Sequence, residues 1–144
     1  MGIVLIPQHT LGLNRAALPV FSAVSSNAEI GNAIAVDTIN QMIYAVGKFK
    51  YNTTFPSLPS SQLNGGSNNG KDDGFLLKIN FTGTTQWVVN IGGIEDDEAV
   101  GVSVGPDGNV YLTGYFYENT RFYSVGGAFS TISNSGQKEQ IFYA

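Results

Sequence analysis

Short apolar runs separated by polar turn residues follow one another along most of the chain. In the middle of the sequence they predict four strands, A, B, C and D, at about 32–37, 42–49, 74–80 and 85–91. Turn-forming residues separate these runs, as in Asn80-Phe81-Thr82-Gly83 between C and D. Because no window of comparable length shows the 3.6-residue apolar stripe of a helix, the chain is predicted to be all-β.

The A–B hairpin occurs twice along the sequence. The stretch GVSVGPDGNVYLTGYF, residues 101–116, matches a diverged copy at 32–49, with a shift of 67 or 68 positions. The matched pairs include Tyr44 with Tyr111, Gly47 with Gly114, Phe49 with Phe116, and Phe55 with Phe122. Self-similarity at a fixed period is the mark of a repeat architecture. The sequence therefore predicts two four-stranded repeat units of about 67 residues each.

The predicted strands carry apolar residues on both faces, as the neighbouring Leu76 and Leu77 of strand C show. Small sheets that are buried on both faces and recur at a fixed period are typical of β-propeller blades. Propellers usually close a ring from about four to eight blades. Two units therefore predict propeller-type blades in an incomplete ring.

The strand order divides the chain into three parts. Residues 1–18 match no repeat and are predicted to be an N-terminal arm, while 19–97 hold strand D of a preceding blade, at about 19–24, and the first unit. Residues 98–144 form a second unit that lacks its last strand. An uncovered strand edge invites pairing with another chain. Either copies associate head-to-tail, or the chain belongs to a longer protein or to an assembly in which another subunit covers the edge.

Composition excludes several classes of function. Charged residues make up only 12% of the chain, the net charge is −4, and the few Lys and Arg residues form no cluster. The basic surface that nucleic acids or anionic membranes require is therefore not predicted. Cysteines are absent, so disulfide and thiolate chemistry are excluded. The apolar run at the N-terminus is too short for a signal peptide or a membrane span.

Taken together, the strands and turns of the second half resemble the SBBP-type β-propeller repeat. The matching residues are Asp73, Phe75, Lys78, Gly83, Trp87, Gly92, Gly93, Asp97, Val104, Gly108, Asn109, Val110, Tyr111, Thr113 and Gly114. The first copy keeps Val36, Asp37, Tyr44 and Gly47 but lacks the Gly-Asn turn. The resemblance covers roughly residues 20–144 and implies a propeller scaffold. Since such repeats occur in bacterial surface and secreted proteins and in proteins of giant DNA viruses, it also implies a virion or extracellular location.

No residue constellation predicts catalysis, a metal or a cofactor. His9 is the only histidine and lies outside the repeats, so it has no predicted partners for a catalytic triad. The acidic run Glu95-Asp96-Asp97-Glu98 offers oxygen ligands for Ca²⁺. It lacks the alternating spacing and internal glycine of a calcium loop, which favours a solvated loop with one Asp capping a turn. We therefore expect a protein that is not an enzyme.

Binding is expected, if anywhere, in the long segments between strands B and C. These segments, 50–71 and 117–138, combine Tyr with Ser, Asn and Gly, a composition that suits recognition. The candidate binding residues are Tyr51, Tyr117, Phe122, Tyr123, Asp96 and Asp97. Aromatic residues in or beside strands also serve packing between blades. The first expectation is a structural module that packs against copies of itself or other subunits, and the alternative is a propeller that binds carbohydrate or protein.

Overall fold

A computed structural model of the chain describes residues 29–50, 71–123, 129–133 and 140–144, and four two-residue strands outside these ranges. The strands are β1 Ile3–Val4, β2 Val20–Phe21, β3 Ile30–Asp37, β4 Met42–Lys50, β5 Thr53–Thr54, β6 Gln62–Leu63, β7 Asp72–Asn80, β8 Thr85–Gly92, β9 Glu98–Val104, β10 Val110–Phe116, β11 Thr120–Tyr123, β12 Phe129–Ile132 and β13 Gln140–Tyr143. No helix occurs in the described residues, so none there is long and apolar enough to cross a membrane. The fold is all-β, as the sequence predicts.

The larger sheet, here called the first sheet, has six antiparallel strands in the order β12-β11-β8-β7-β4-β3. Its strands β3, β4, β7 and β8 are the predicted strands A, B, C and D of the first unit, paired in sequence order. Two further strands, β11 and β12, come from the segment after β10 and extend this sheet beyond β8. The sequence did not predict that extension.

The second sheet has three antiparallel strands in the order β9-β10-β13. Strands β9 and β10 form the second A–B hairpin, and β13 pairs with β10 at the place expected for strand C. Within the described parts of the chain, no fourth strand pairs with β13. The two sheets do not close into a ring.

Polar side chains and glycines set the turns between these strands. Asp37 Oδ1 accepts hydrogen bonds from the backbone amides of Ile39 and Asn40, at 3.1 and 2.9 Å, and so fixes the β3–β4 turn. Between β7 and β8, Gly83 adopts a φ of 85°, a left-handed conformation that glycine tolerates. In the β9–β10 turn, Gly108 has a φ of 80°. The Gly turns read from the sequence are present in the structure.

Apolar side chains of the two sheets meet in a common inter-sheet core. The buried members are Tyr44, Val46, Leu76 and Ile91 from the first sheet and Ala99, Leu112, Phe116 and Phe142 from the second. Complete burial of one large apolar side chain stabilises a fold by roughly 1.5–3 kcal/mol. This core is therefore the main attachment of the second sheet to the first.

Side chains on the opposite face of the first sheet form a second buried group, the outer cluster. It contains Ala45, Phe49, Phe75, Leu77 and Ile79. Since Leu76 belongs to the inter-sheet core and Leu77 to the outer cluster, strand C is buried on both faces. The paired apolar residues in the sequence are explained by this double burial.

The outlying strands at the N-terminal end pair with each other. Val20–Phe21, within the predicted strand at 19–24, is antiparallel to Ile3–Val4, with Ile3 opposite Phe21 and Val4 opposite Val20. The predicted arm at 1–18 thus contributes β1 to a two-stranded sheet. The other residues of both segments lie outside the described residues.

A bulge occurs at the same place in both A–B hairpins. The β3–β4 register shifts between Gly31 and Ala33, opposite Gly47, and the β9–β10 register shifts beside Gly114. A Cβ at Gly47 would lie 1.9 Å from the carbonyl oxygen of Ile30, and one at Gly114 would lie 2.1 Å from that of Glu98. Only glycine permits this approach of two backbones. The two hairpins are therefore equivalent in three dimensions.

We predict that Gly47→Ala and Gly114→Ala each lower the free energy of unfolding by about 2–3 kcal/mol, because backbone atoms must move to admit the methyl group. Gly105→Ala is the matched control, since its Cβ would first meet the Asp107 and Tyr111 side chains, at 2.6 and 2.9 Å, which can rotate away. Urea unfolding measures all three. A loss in only one of the two bulge variants, or a loss in Gly105→Ala as large as theirs, would contradict the account of the bulges.

Candidate functional site

The structure separates the aromatic residues that the sequence groups into one binding surface. Phe122 and Tyr123 are neighbours on β11 and so point to opposite faces of the first sheet. The Phe122 ring meets Phe142 edge-on, with 4.8 Å between ring centroids, and packs against the inter-sheet core. The Tyr123 ring lies 5.6 Å from that of Phe129 on the other face. Tyr51 falls outside the described residues.

Asp97 attaches the acidic loop to the start of β11. Its carboxylate is fully buried and accepts hydrogen bonds from the backbone amide of Gly93 at 2.7 Å and the hydroxyl of Thr120 at 2.6 Å. The backbone amide of Tyr117 donates a further hydrogen bond to it. Burial raises the pKa of Asp97 from 3.8 to about 6, although these hydrogen bonds oppose the rise. Asp97 and Tyr117 are thus brought together, in an arrangement that orders two loops.

Asp96 and Glu95 are held by the neighbouring Lys71. The Lys71 ammonium lies 3.0 Å from the Glu95 carboxylate and 3.3 Å from that of Asp96. Asp96 also accepts a hydrogen bond from the backbone amide of Asp72 at 2.9 Å. Across the described ranges, no group of three or more His, Cys, Asp or Glu residues is placed to hold a metal ion. Asp97 corresponds to the one Asp that was expected to cap a turn. Asp96 instead binds the first backbone amide of β7.

A network of charged and polar groups joins the two sheets at one end of their interface. Lys48 lies 2.9 Å from Glu98 and 3.4 Å from Asp72, and Asn32 donates a hydrogen bond to Glu98 at 2.7 Å. The Tyr115 hydroxyl also hydrogen-bonds to Glu98. Burial would raise the pKa of Glu98, but the hydrogen bonds from Tyr115, Lys48 and Asn32 outweigh it and hold that pKa below its usual value. No motif in the sequence indicated this network.

One face of the second sheet leaves apolar side chains exposed. We call Val100, Tyr111 and Ile141 the exposed face, and their exposed fractions are 45%, 50% and 81%. By the repeat, Tyr111 corresponds to Tyr44 of the first sheet, which is only 3% exposed because the second sheet covers it. The same position of the repeat is therefore buried in one unit and open in the other.

The outer face of the first sheet exposes some of the complementary positions of the repeat on β3, whereas Ala45, Phe49 and Phe75, the equivalents of Leu112, Phe116 and Phe142, are already buried in the outer cluster. On β3, Ile34 and Val36 are 49% and 50% exposed and point away from the inter-sheet core, as does the neighbouring Gly31. We call Gly31, Ile34 and Val36 the β3 patch. The equivalents of Ile34 and Val36 in the second unit are Val102 and Val104, which pack against the inter-sheet core.

A cleft of about 570 Å³ opens between the first sheet and its β11–β12 extension. It lies on the face of the sheet that carries Tyr123, away from Phe122. Its lining residues are Asp73, Asn90, Gly92, Gly93, Ile94, Asn119, Arg121, Tyr123, Thr131 and Ser133. Tyr123 is thus the candidate binding residue that the structure places in a cavity. Of the other cleft residues, Asp73, Gly92 and Gly93 belong to the repeat motif, but nothing in the sequence connected them with residues 119–133.

Comparisons with protein-family models, with curated proteins and with solved structures found no match to this chain.

We predict that the free energy of unfolding of the native protein, minus that of Asp97→Asn, falls by about 2–3 kcal/mol between about pH 4 and pH 7. The pKa of Asp97 is higher in the folded chain than in the unfolded one, so its contribution is fully present below about pH 4 and is lost as pH rises through about 6. Urea unfolding at several pH values measures the difference.

Asp107→Asn is the control for this titration. The backbone amide of Asn109 lowers the pKa of Asp107, which lies in an exposed turn, so that its contribution is lost as pH falls. The difference between native protein and Asp107→Asn should therefore have the opposite sign of pH dependence. A difference for Asp97→Asn that is constant or rises with pH would refute the assignment.

Proposed function

We propose that the protein is a non-enzymatic structural module of the SBBP type, a partial β-propeller that assembles with copies of itself. The observation that carries the proposal is the contrast between Tyr44, which is 3% exposed, and its repeat equivalent Tyr111, which is 50% exposed. In the first unit, the side chain at this position packs against the second sheet. The second unit offers the same face with no sheet on it among the described residues.

The internal interface supplies the geometry for such an association. Asn32, at the bulge of β3, reaches across to β9, where its side chain donates a hydrogen bond to the carbonyl oxygen of Ala99 at 2.8 Å. The equivalents of this pair are Val100, on the exposed face, and Gly31, in the β3 patch. Packing between copies would thus place an apolar contact where the internal interface has a polar one.

One pair of positions sets a limit on how closely two copies can pack. Gly74 of the first sheet approaches β9 so closely that a Cβ would lie 2.9 Å from the amide nitrogen of Ala99. In the second unit, Ile141 stands in place of Gly74, and it would meet Gly31 in place of Ala99. Because the close contacts of Gly74 are with backbone atoms, the exposed face of one copy would lie further from β3 of the next copy than the first sheet lies from β9.

The proposed contact is heterologous, because the exposed face of one copy meets the β3 patch of the next. Such contacts generate closed rings when the rotation closes and open filaments when it does not. Three or four copies would supply about six or eight blades, within the usual range for propellers. The partner is therefore another copy of this chain, and the low charge of both surfaces suits a packing role in a larger assembly such as a virion or cell-surface layer.

The alternative function, recognition of a carbohydrate or protein ligand, has support in one feature only. The cleft beside Tyr123 lies partly in the second B–C segment, where binding was expected from the sequence. Its chemistry is treated below, because it does not depend on the assembly.

We predict that the protein forms oligomers in solution and that Tyr111→Ser shifts it toward the monomer. Loss of the ring removes the aromatic surface that a second copy would cover. Phe81→Ser is the matched control, since Phe81 is 45% exposed but lies in the β7–β8 turn, away from both proposed surfaces. Light scattering coupled to gel filtration measures the mass. A native protein that stays monomeric at high concentration would overturn the proposed assembly.

A further inference from the structure

The cleft between β8 and the β11–β12 extension is lined by side chains that the neighbouring strands hold in fixed positions. A glycine makes the space, because Gly92 has no side chain and the Asp73 carboxylate lies over it, 2.2 Å from where a Cβ would be. On the next strand Arg121 pairs with Gly92, and on the strand beyond it Thr131 pairs with Arg121. A carboxylate that covers a glycine, a guanidinium and a hydroxyl thus stand in one row across four strands.

Hydrogen-bond donors and hydrogen-bond acceptors surround this row. Asp73 is fully buried, and its Oδ2 accepts a hydrogen bond from the Asn90 amide at 3.0 Å. Asn119 and Ser133 add an amide and a hydroxyl at the rim. Since carboxylates accept hydrogen bonds, guanidinium groups donate them, and hydroxyls and amides do both, the cleft can satisfy a ligand rich in hydroxyl groups.

Apolar ring surface lies beside these polar groups. Tyr123 lines the cleft and packs against Phe129, whose ring also lies beneath the Arg121 guanidinium at 4.8 Å. That contact holds the guanidinium in place, because a cation is attracted to the face of an aromatic ring. A rigid aromatic ring next to fixed hydrogen-bonding groups is the combination that orients a small ligand with one apolar face.

The charges of the cleft favour a neutral ligand. Among the lining residues that the structure describes, Asp73 is the one acid and Arg121 the one base. An anion would gain from Arg121 and lose to Asp73, and a cation the reverse. A volume of about 570 Å³ falls within the range of about 300–1,000 Å³ typical of small-molecule sites.

From this geometry we propose that the cleft binds a neutral carbohydrate, with Arg121 and Thr131 holding sugar hydroxyls, Tyr123 packing against the sugar ring and Asp73 forming part of the buried floor. The proposal is independent of the proposed assembly, because the cleft lies at β8, β11 and β12, whereas the β3 patch lies at the opposite edge of the first sheet and the exposed face lies on the second sheet. It gives the chain a recognition role in addition to a structural one.

The test is an amide-shift titration by NMR with free galactose, mannose, N-acetylglucosamine, lactose and maltose. At least one of these should produce saturable shifts at Gly92, Gly93 and Asn119. Arg121→Gln and Thr131→Ala should weaken that binding by about tenfold or more, since the first replaces the charged guanidinium by a shorter neutral amide and the second removes a hydroxyl. Both side chains are exposed, so the variants should fold. Asp73→Asn should also weaken binding, but its buried position makes it the secondary variant.

Matched controls separate this site from the assembly. Thr113→Ala, an exposed threonine on the second sheet, should leave sugar binding unchanged, and so should Tyr111→Ser even where it abolishes association. The proposal is overturned if no sugar of the panel shifts these amides, or if Arg121→Gln and Thr131→Ala bind as the native protein does. Saturable shifts with inorganic phosphate in place of the sugars would also overturn it, because they would show an anion site.

Discussion

Close packing of one sheet on the next is the interaction on which the whole structure depends. The first sheet is buried on both faces, and the second sheet is attached to it through the inter-sheet core around Tyr44, Leu76 and Phe142. Gly47 and Gly114 allow the two backbones of each A–B hairpin to come close together at the bulge. The bulge bends β3 in one hairpin and β9 in the other, and so sets how each strand faces the neighbouring sheet. Among the described residues, the face of the second sheet that carries Val100, Tyr111 and Ile141 has no sheet packed on it.

Much of this could be predicted from the sequence, because strand periodicity and turn residues are local signals. Strands A to D, the Gly turns and the recurrence of the hairpin all depend on residues close together in the chain. The β11–β12 extension could not be predicted, since TRFY and FSTI are only four residues long and lie in a polar segment. Phe122 and Tyr123 looked like one surface because a sequence does not show which strand a short run will join. The cleft depends on that pairing and was missed for the same reason.

Polar groups fix the arrangement that the apolar groups stabilise. Glu98 gathers Lys48, Asn32 and Tyr115 at the end of the interface, and Asp97 ties the loop before β9 to Thr120 at the start of β11. Both acids belong to the run Glu95-Asp96-Asp97-Glu98, for which the sequence favoured a solvated loop over a calcium site, and each is engaged by groups of the chain itself. Buried polar groups that are satisfied in this way favour one register over others. They also position β11, and with it Arg121 and Tyr123, at the cleft.

The central claim is that the exposed face of one copy is equivalent to the face that is already covered inside the molecule. Because the chain has no cysteines, introduced thiols report on this directly. Val100→Cys and Gly31→Cys correspond to Asn32 and Ala99, which are in hydrogen-bonding contact at 2.8 Å. When the two single variants are mixed and joined by oxidation or a short bis-maleimide, cross-linking between a Val100→Cys copy and a Gly31→Cys copy should predominate. Cross-linking only between identical variants, or none at all, would contradict the account.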